Sequence, residues 1–376
     1  SKDWQIFIAS WASPIMWLFM GGFVLGQVAQ TTGMDRMMAR FVLRGFGTRP
    51  SIILLGAMGV TFLFSMFMSN TATTAMMMSV MAPVIAALDK KDPFVKALLL
   101  GIPFSANVGG MATIIGSPPN AIAAGLLSES HGIDFLRWMM AGLPPAIVLF
   151  FVIWLYLKVA HPSMNANLDL RGLEWETRTG SLLPMWKRLL VFPVFIVTVL
   201  LWMTGPIHGM PTAVVSFLPI TIFAVAGILT INEVRRLQWD VLLLLAGGLS
   251  LGVAIQKTGL ADWLLGLLPF ESLGLMALAF LLAYITTLLS NFMSNTAATN
   301  ILAPLGMAVA VGFEPFIVLP LAIGASAAMS LPISTPPNAI AFATGNIKST
   351  DFIRGGLLMG TLGPAVAVIW IFWLFG

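Results

Sequence analysis

The chain of 376 residues is 58% hydrophobic and 9% charged, with mean hydropathy +0.95 and formal net charge +4, a balance foreign to soluble domains. Cysteine is absent, which excludes disulfides and thiol chemistry, and His131, His161 and His208 lack HExxH-like spacing, which argues against an intramembrane zinc enzyme. Spanning-length apolar runs without β-alternation lead us to expect an all-α polytopic membrane protein.

In chain order, "LFMGGFVLGQVAQTTGM" (18–34) predicts an apolar helix. The following arm, "DRMMARFVLRGFGTR", reads as an amphipathic cytoplasmic helix spanning Arg36–Arg49, and the two together make a first segment, 1–49. In segment 50–157, apolar stretches 51–68 and 75–88 flank "FMSNTATTAMMM" (67–78) and fit a helical hairpin with a polar tip. A helix around 97–128 must break at "SPPN" (117–120), because two prolines remove donors and force an extended approach; a restart is expected at Asn120. "DFLR" (134–137) precedes a closing helix, 138–157. The linker 158–188, with Asp169, Arg171, Glu174, Glu176 and Arg178, reads as a solvated connection. Segment 189–272 supplies helices 189–204 and 212–230, a second Gly-Gly helix (244–260) and the arm "ADWLLGLLPFES", which has no arginine. Segment 273–376 then repeats the earlier phrases: "FMSNTAATNILAP" (292–304), "TPPN" (335–338, restart expected at Asn338), "DFIR" (351–354) and a closing helix.

Four landmarks recur in one order at an offset of 217–226 residues, which reads as an internal duplication. The number of crossings between equivalent landmarks is odd, so the second half is expected to be inverted. The charges agree. On the inverted arrangement one face carries 16 basic residues and the other only Lys2, Arg137 and Lys257. The expected topology has Ser1 outside, the 158–188 loop cytoplasmic and Gly376 outside. Residues 1–16 cannot supply counterparts to both 189–204 and 212–230, so at least two helices are expected to precede Ser1 in the full-length product.

At a hairpin tip within hydrocarbon, one helix ends in unpaired carbonyls and the next begins with unpaired N–H groups. Carbonyl ends attract cations and N-termini attract anions. Two such broken elements per inverted half are the pattern of a secondary transporter's site. No Asp, Glu, Lys or Arg lies in 50–88, 97–128, 272–313 or 315–347. A proton-coupled site would show a carboxylate or His, and an uncoupled anion site an Arg or Lys. Charge balance therefore falls to helix ends plus bound cations, and the expected coupling ion is Na⁺.

The paired "SNT" segments, the "SPPN" and "TPPN" breaks and the "FMGGFVLG" arm resemble the divalent-anion/sodium symporters, along essentially the whole chain. That resemblance implies a homodimer in the bacterial plasma membrane whose scaffold stays still while a transport domain with re-entrant hairpins moves as an elevator. It implies two or more Na⁺ sites. The first would use Ser65, Ser69, Asn70 and the carbonyl near Gly116; the second would use Ser290, Asn295 and the carbonyls near Met293 and Ser334. Substrate carboxylates would meet Ser69, Asn70, Thr71, Ser294, Asn295, Thr296 and the Thr335-Pro336 turn. C4-dicarboxylates lead as substrate, with sulfate, citrate or exchange as alternatives of the same fold. Where the family often has Thr before the first PPN this chain has Ser117, which keeps the hydroxyl and loses the methyl. No nucleic-acid partner and no enzymatic activity are expected. An anion channel is the rival from another class, and it would need a continuous pore rather than two dead-end tips.

Gly22/Gly26 and Gly248/Gly252 form GxxxG pairs, read as close helix packing or, as the rarer alternative, a dimer contact. The run "TTAMMMSVMAP" reads as adaptable packing for a sliding surface rather than metal ligation.

Overall fold

The computed structural model describes residues 4–43, 45, 47–168, 183–260, 263 and 273–376, and these are helical with no strand. The first helices are α1 (Trp4–Ala9), α2 (Pro14–Thr32) and α3 (Met34–Leu43). A first series follows: α4 (Pro50–Ser65), α5 (Asn70–Ala87), α6 (Pro93–Gly110), α7 (Pro118–His131) and α8 (Phe135–Ala160). Then come α9 (Met185–Met203), α10 (Gly205–His208), α11 (Thr212–Val215), α12 (Phe217–Val225), α13 (Ile231–Arg235) and α14 (Trp239–Lys257). The last series is α15 (Leu275–Ser290), α16 (Asn295–Val309), α17 (Glu314–Ser326), α18 (Pro336–Phe342) and α19 (Ser349–Phe375). The order hairpin, broken helix, long helix thus occurs twice, in α4–α8 and in α15–α19.

Among the described residues, three helices are long and apolar enough to cross a membrane alone: α8, α9 and α19. Of the others, α7 and α18 are cut short where the chain breaks. Pro118 and Pro336 open α7 and α18, two residues before the restarts expected at Asn120 and Asn338. Proline suits a helix's first turn, where its missing N–H would have had no partner. The asparagines instead staple the breaks: Asn120 Nδ2 donates to the carbonyls of Gly110 (2.8 Å) and Thr113 (2.7 Å), and Asn338 Nδ2 to those of Met329 and Leu331 (both 3.0 Å). Carbonyls freed by each break are satisfied inside the protein, as burial demands.

Several boundaries differ from the sequence expectation. The arm helix α3 stops at Leu43 rather than reaching Arg49, because Gly47 turns left-handed (φ 71°) and Arg49 is extended before Pro50. It buries Asp35, Ala39 and Leu43 at four-residue spacing and leaves Phe41 exposed, as an amphipathic helix does. Helix α9 begins at Met185, inside the stretch read as linker, and α12 ends at Val225, ahead of a left-handed Gly227. Lys2, Arg44, most of the 261–272 arm and the linker charges Asp169, Arg171, Glu174, Glu176 and Arg178 lie outside the described residues.

The GxxxG glycines lie against the hairpin series. A Cβ on Gly22 would sit 3.0 Å from Ile115, and one on Gly26 would sit 3.6 Å from Met68 at the first tip. On α14, a Cβ on Gly248 would overlap the Asn300 amide, and one on Gly252 would meet Leu126 at 2.8 Å. These stripes let α2 and α14 approach the broken helices closely, the packing reading of the motif.

Candidate functional site

Both hairpin tips and both broken-helix turns line one cavity of about 1110 Å³. Ser69, Asn70 and Thr71 come from the first tip and Met293, Ser294, Asn295 and Thr296 from the second. Gly116 and Ser117 come from the first turn, and Ser334, Thr335 and Pro336 from the second. The opposite wall is made by Phe19 and Phe23 of α2 and by Gln238, Asp240, Val241 and Leu244 at the start of α14. Asp240 is the one charged residue among the described lining residues. Two stretches more than 200 residues apart in sequence therefore meet, and of the residues singled out in the sequence only Ser65 and Ser290 do not line the cavity. Those two lie behind the tips, fully buried.

Behind the first tip, oxygens crowd together. Ser65 Oγ donates to the Ala106 carbonyl at 2.7 Å and to Asn70 Oδ1 at 2.5 Å. With its amide oxygen inward, Asn70 also stands 3.2 Å from the carbonyl oxygens of Ala106 and Gly116. Turning the nitrogen inward satisfies the cluster, since Asn70 Nδ2 then stands 2.5 Å from Ser65 Oγ and 3.2 Å from both carbonyl oxygens, within reach of its two N–H donors. Gly110 makes the approach possible, since a Cβ there would sit 2.7 Å from the Asn70 amide. Thr113 Oγ1 ties the loop down by donating to the Met66 carbonyl.

The second tip repeats the pair at the same five-residue spacing, with a different state of satisfaction. Ser290 Oγ and Asn295 Oδ1 are buried with no hydrogen-bond partner among the described residues. Next to them Ser334 Oγ donates to the Asn291 carbonyl (3.1 Å), and Asn291 Oδ1 accepts from the Ser330 amide (2.9 Å). An unpaired buried oxygen costs about 1–3 kcal/mol. Hydroxyl, amide and carbonyl oxygens of this kind are the ligands a hard cation takes. No group of three or more His, Cys, Asp or Glu among the described residues forms a transition-metal site.

At the broken-helix turns, two sets of contacts cross between the series, and sequence reading missed both. Asn107 of α6 donates from Nδ2 to Thr335 Oγ1 (3.1 Å) and Asn338 Oδ1 (3.4 Å). Ser117 Oγ meets Ser326 Oγ of α17 at 3.3 Å. The hydroxyl residue before each Pro-Pro pair is thus held by a polar residue from the other series.

Farther along, α14 packs closely on α7 and α16. Gly248, Leu249 and Gly252 of α14 pack on Asn300, Gly125 and Leu126. Asn300 Nδ2 donates to the Leu244 carbonyl (3.3 Å) across that contact. Gln238 and Asp240 of the cavity wall follow the exposed Arg235 and Arg236 in the chain.

A polar, nearly charge-free cavity between two hairpin tips and two interrupted helices, in an apolar helical protein, defines an integral membrane transporter of the secondary type. The comparisons say which. The citrate transporter family model matches residues 3–317. An uncharacterized transporter of Haemophilus influenzae is 31% identical over 397 residues, covering 98% of this chain and 83% of that protein. The sodium-dependent dicarboxylate transporter SdcS is 29% identical in Staphylococcus saprophyticus and 28% in Staphylococcus aureus, covering 97% of this chain and 77% of each relative. The crystal structure of the Alcanivorax borkumensis YdaH transporter shares the fold, with TM-score 0.59 at 12% identity over 99% of this chain and 87% of that one. The chain belongs to the divalent-anion/sodium symporter family.

Proposed function

We propose that this protein is a sodium-coupled transporter of small divalent anions, C4-dicarboxylates first among them, in a bacterial plasma membrane. The observation that carries the reading is the convergence of Ser69–Thr71, Ser294–Thr296 and the Thr335-Pro336 turn on one cavity with no basic residue in its wall. Removing a carboxylate from water costs several kcal/mol, and a helix end returns only about 0.3–1 kcal/mol. A cation about 4 Å away contributes about 4 kcal/mol at an effective dielectric of 20. The dianion therefore needs co-bound cations. The oxygen clusters at Ser65, Ser69, Asn70 and Gly116, and at Ser290, Met293, Asn295 and Ser334, are where we assign Na⁺. The names of the Staphylococcus relatives support both ion and substrate class.

In this reading the two hairpin series are inverted relative to each other and form a transport domain. Helices α2 and α9–α14 form the scaffold, through which two copies associate. The basic end, with the 158–188 loop, is cytoplasmic and the C-terminus lies outside, so the cavity faces the cytoplasm. The glycine stripes of α2 and α14 are the track along which the transport domain slides.

Uptake of radiolabelled succinate by proteoliposomes, with a sodium gradient and with choline in its place, tests the proposal. Saturable uptake that collapses in choline is expected, with competition by malate and fumarate exceeding that by citrate or sulfate. Undiminished uptake in choline overturns the coupling, and dominant competition by sulfate overturns the substrate class.

A further inference from the structure

Beside the main cavity lies a second chamber of about 150 Å³ that shares Phe23, Ser69 and Gln238 with it. The two are contiguous. Its other polar lining residues are Gln27, whose amide also donates to Thr31 Oγ1 (3.3 Å), Gln30 on α2 and Arg236, the one charged residue in its wall among the described residues. We propose that this chamber is a waiting site for one carboxylate group of the transported dianion, with Arg236 as its anchor. This rests on the transport reading above and assigns a residue outside the tips and turns.

The argument starts from what holds Arg236 in place. It follows the last turn of α13, which is closed by a capping box between Thr230 and Glu233, and its backbone N–H donates to the Glu233 carbonyl (3.1 Å). Leu237 beside it is buried, and Trp239 Nε1 donates to the Val234 carbonyl (2.9 Å), so the turn is pinned from both sides. The guanidinium itself has no ion pair or hydrogen bond to the described residues. A guanidinium without a partner can offer its planar fork to a carboxylate through two parallel hydrogen bonds. The glutamine amides add neutral donors, while Arg236 repels sodium. An oxyanion fits the chamber and a cation does not.

The location gives the chamber a purpose. Asp240, four residues further along at the start of α14, is the only charge among the described residues of the main cavity wall and repels an arriving dianion. Arg236 offsets that repulsion from the neighbouring chamber, whose wall it shares with Ser69, a residue that belongs to both spaces. A single charge at a cavity mouth changes capture by about tenfold. Because Arg236 sits on the scaffold, its influence is confined to the state in which the site opens toward it. The substrate's affinity from the other membrane face is set without it.

The test exploits this sidedness. The chain lacks cysteine, so one introduced on a loop reports orientation in proteoliposomes without background labelling. KM for succinate is measured from each face for wild type, Arg236→Gln, Arg236→Lys and Arg235→Gln. Arg235 is exposed and lines neither space, so its variant controls for general surface charge. The expected result is a KM raised about tenfold for Arg236→Gln from the basic face only, partial retention in Arg236→Lys, and no change in Arg235→Gln. Equal effects from both faces, no effect from either, or an equal effect of Arg235→Gln each overturn the proposal. If wild-type uptake itself ignores sodium and succinate, the transport reading fails instead, and the two failures are distinguishable. Where Arg236→Gln does not fold, Gln30→Leu provides the same comparison from the opposite chamber wall.

Discussion

Asn107 Nδ2 lies 3.1 Å from Thr335 Oγ1 and 3.4 Å from Asn338 Oδ1, so one amide from the first helical series supports the turn of the second. All three residues are buried. Thr335 and Pro336 line the cavity, and their position depends on a side chain that contacts neither hairpin tip. Asn107→Ala leaves the Asn338 carbonyl oxygen without that donor, at a cost of about 1–3 kcal/mol. We expect a lowered Tm in detergent together with a raised substrate KM. The Ser117–Ser326 contact behaves differently, since replacing both hydroxyls by methyl groups leaves no unpaired partner. Ser117→Ala/Ser326→Ala is expected to cost less than the sum of its single variants, checked by a thermal double-mutant cycle.

The two Ser–Asn pairs predict opposite responses to the same substitution. Ser65 is hydrogen-bonded to Asn70 and Ala106, whereas Ser290 Oγ has no partner among the described residues. In choline, Ser65→Ala is expected to lose about 1–2 kcal/mol of stability, while Ser290→Ala is neutral or slightly stabilising. In sodium, wild-type Tm rises with ion concentration, and both variants lose part of that rise because each lacks one oxygen ligand. Thermal melts over a sodium titration read out both effects. Equal destabilisation of the two variants in choline would contradict the difference in hydrogen bonding.

The breaks and tips were legible in the sequence because they violate their surroundings. A Pro-Pro pair or an SNT tripeptide in hydrocarbon demands an internal partner, and repetition tied each to its counterpart. Asn107 and Ser326 carried no such signal. A lone polar residue in a buried helix does not announce its partner when that partner lies more than 200 residues away. The starts of α7 and α18 were misplaced by two residues because the asparagine was read as opening the helix, when the prolines open it and the asparagine side chain turns back to the freed carbonyls. The faces of the GxxxG helices were illegible for a related reason: the motif gives close approach without naming the partner.

Asp35 supplies a pH test outside the spanning segments. It is buried at the start of α3, and desolvation raises its pKa to about 6 against the opposing effects of the Arg36 backbone N–H and charge. Arg188 packs at the same turn, donating from Nε to the Thr32 carbonyl (3.0 Å). A folded pKa above the unfolded 3.8 means that the native state holds more protons between these values. Stability therefore falls as pH rises from about 4 to about 6 and stays reduced above that. Asp35→Asn removes the charged form and is expected to stabilise the protein at pH 7.5 by at most about 3 kcal/mol. The gain should shrink steadily toward pH 5, and a gain independent of pH would point to a cause other than titration.

Asn300 of α16 is seated against Gly248 of α14. A Cβ at Gly248 would lie 1.8 Å from Asn300 Oδ1, a separation that forces the amide out. Displacing it breaks the hydrogen bond to Leu244 and removes close contact between α14 and α16. The corresponding position in the first series is Ala75, which lines the open cavity, so only the second tip carries this latch. Gly248→Ala is therefore expected to impair sodium-driven uptake severely. Asn300→Ala removes the obstructing amide and loses about 1 kcal/mol from one hydrogen bond, with a milder effect on uptake. The double variant makes room for the new methyl group and should recover much of the activity lost in Gly248→Ala. Uptake by the four proteins, normalised to reconstituted protein, checks this. Additive loss in the double variant would show that the glycine is needed for something other than clearance of Asn300.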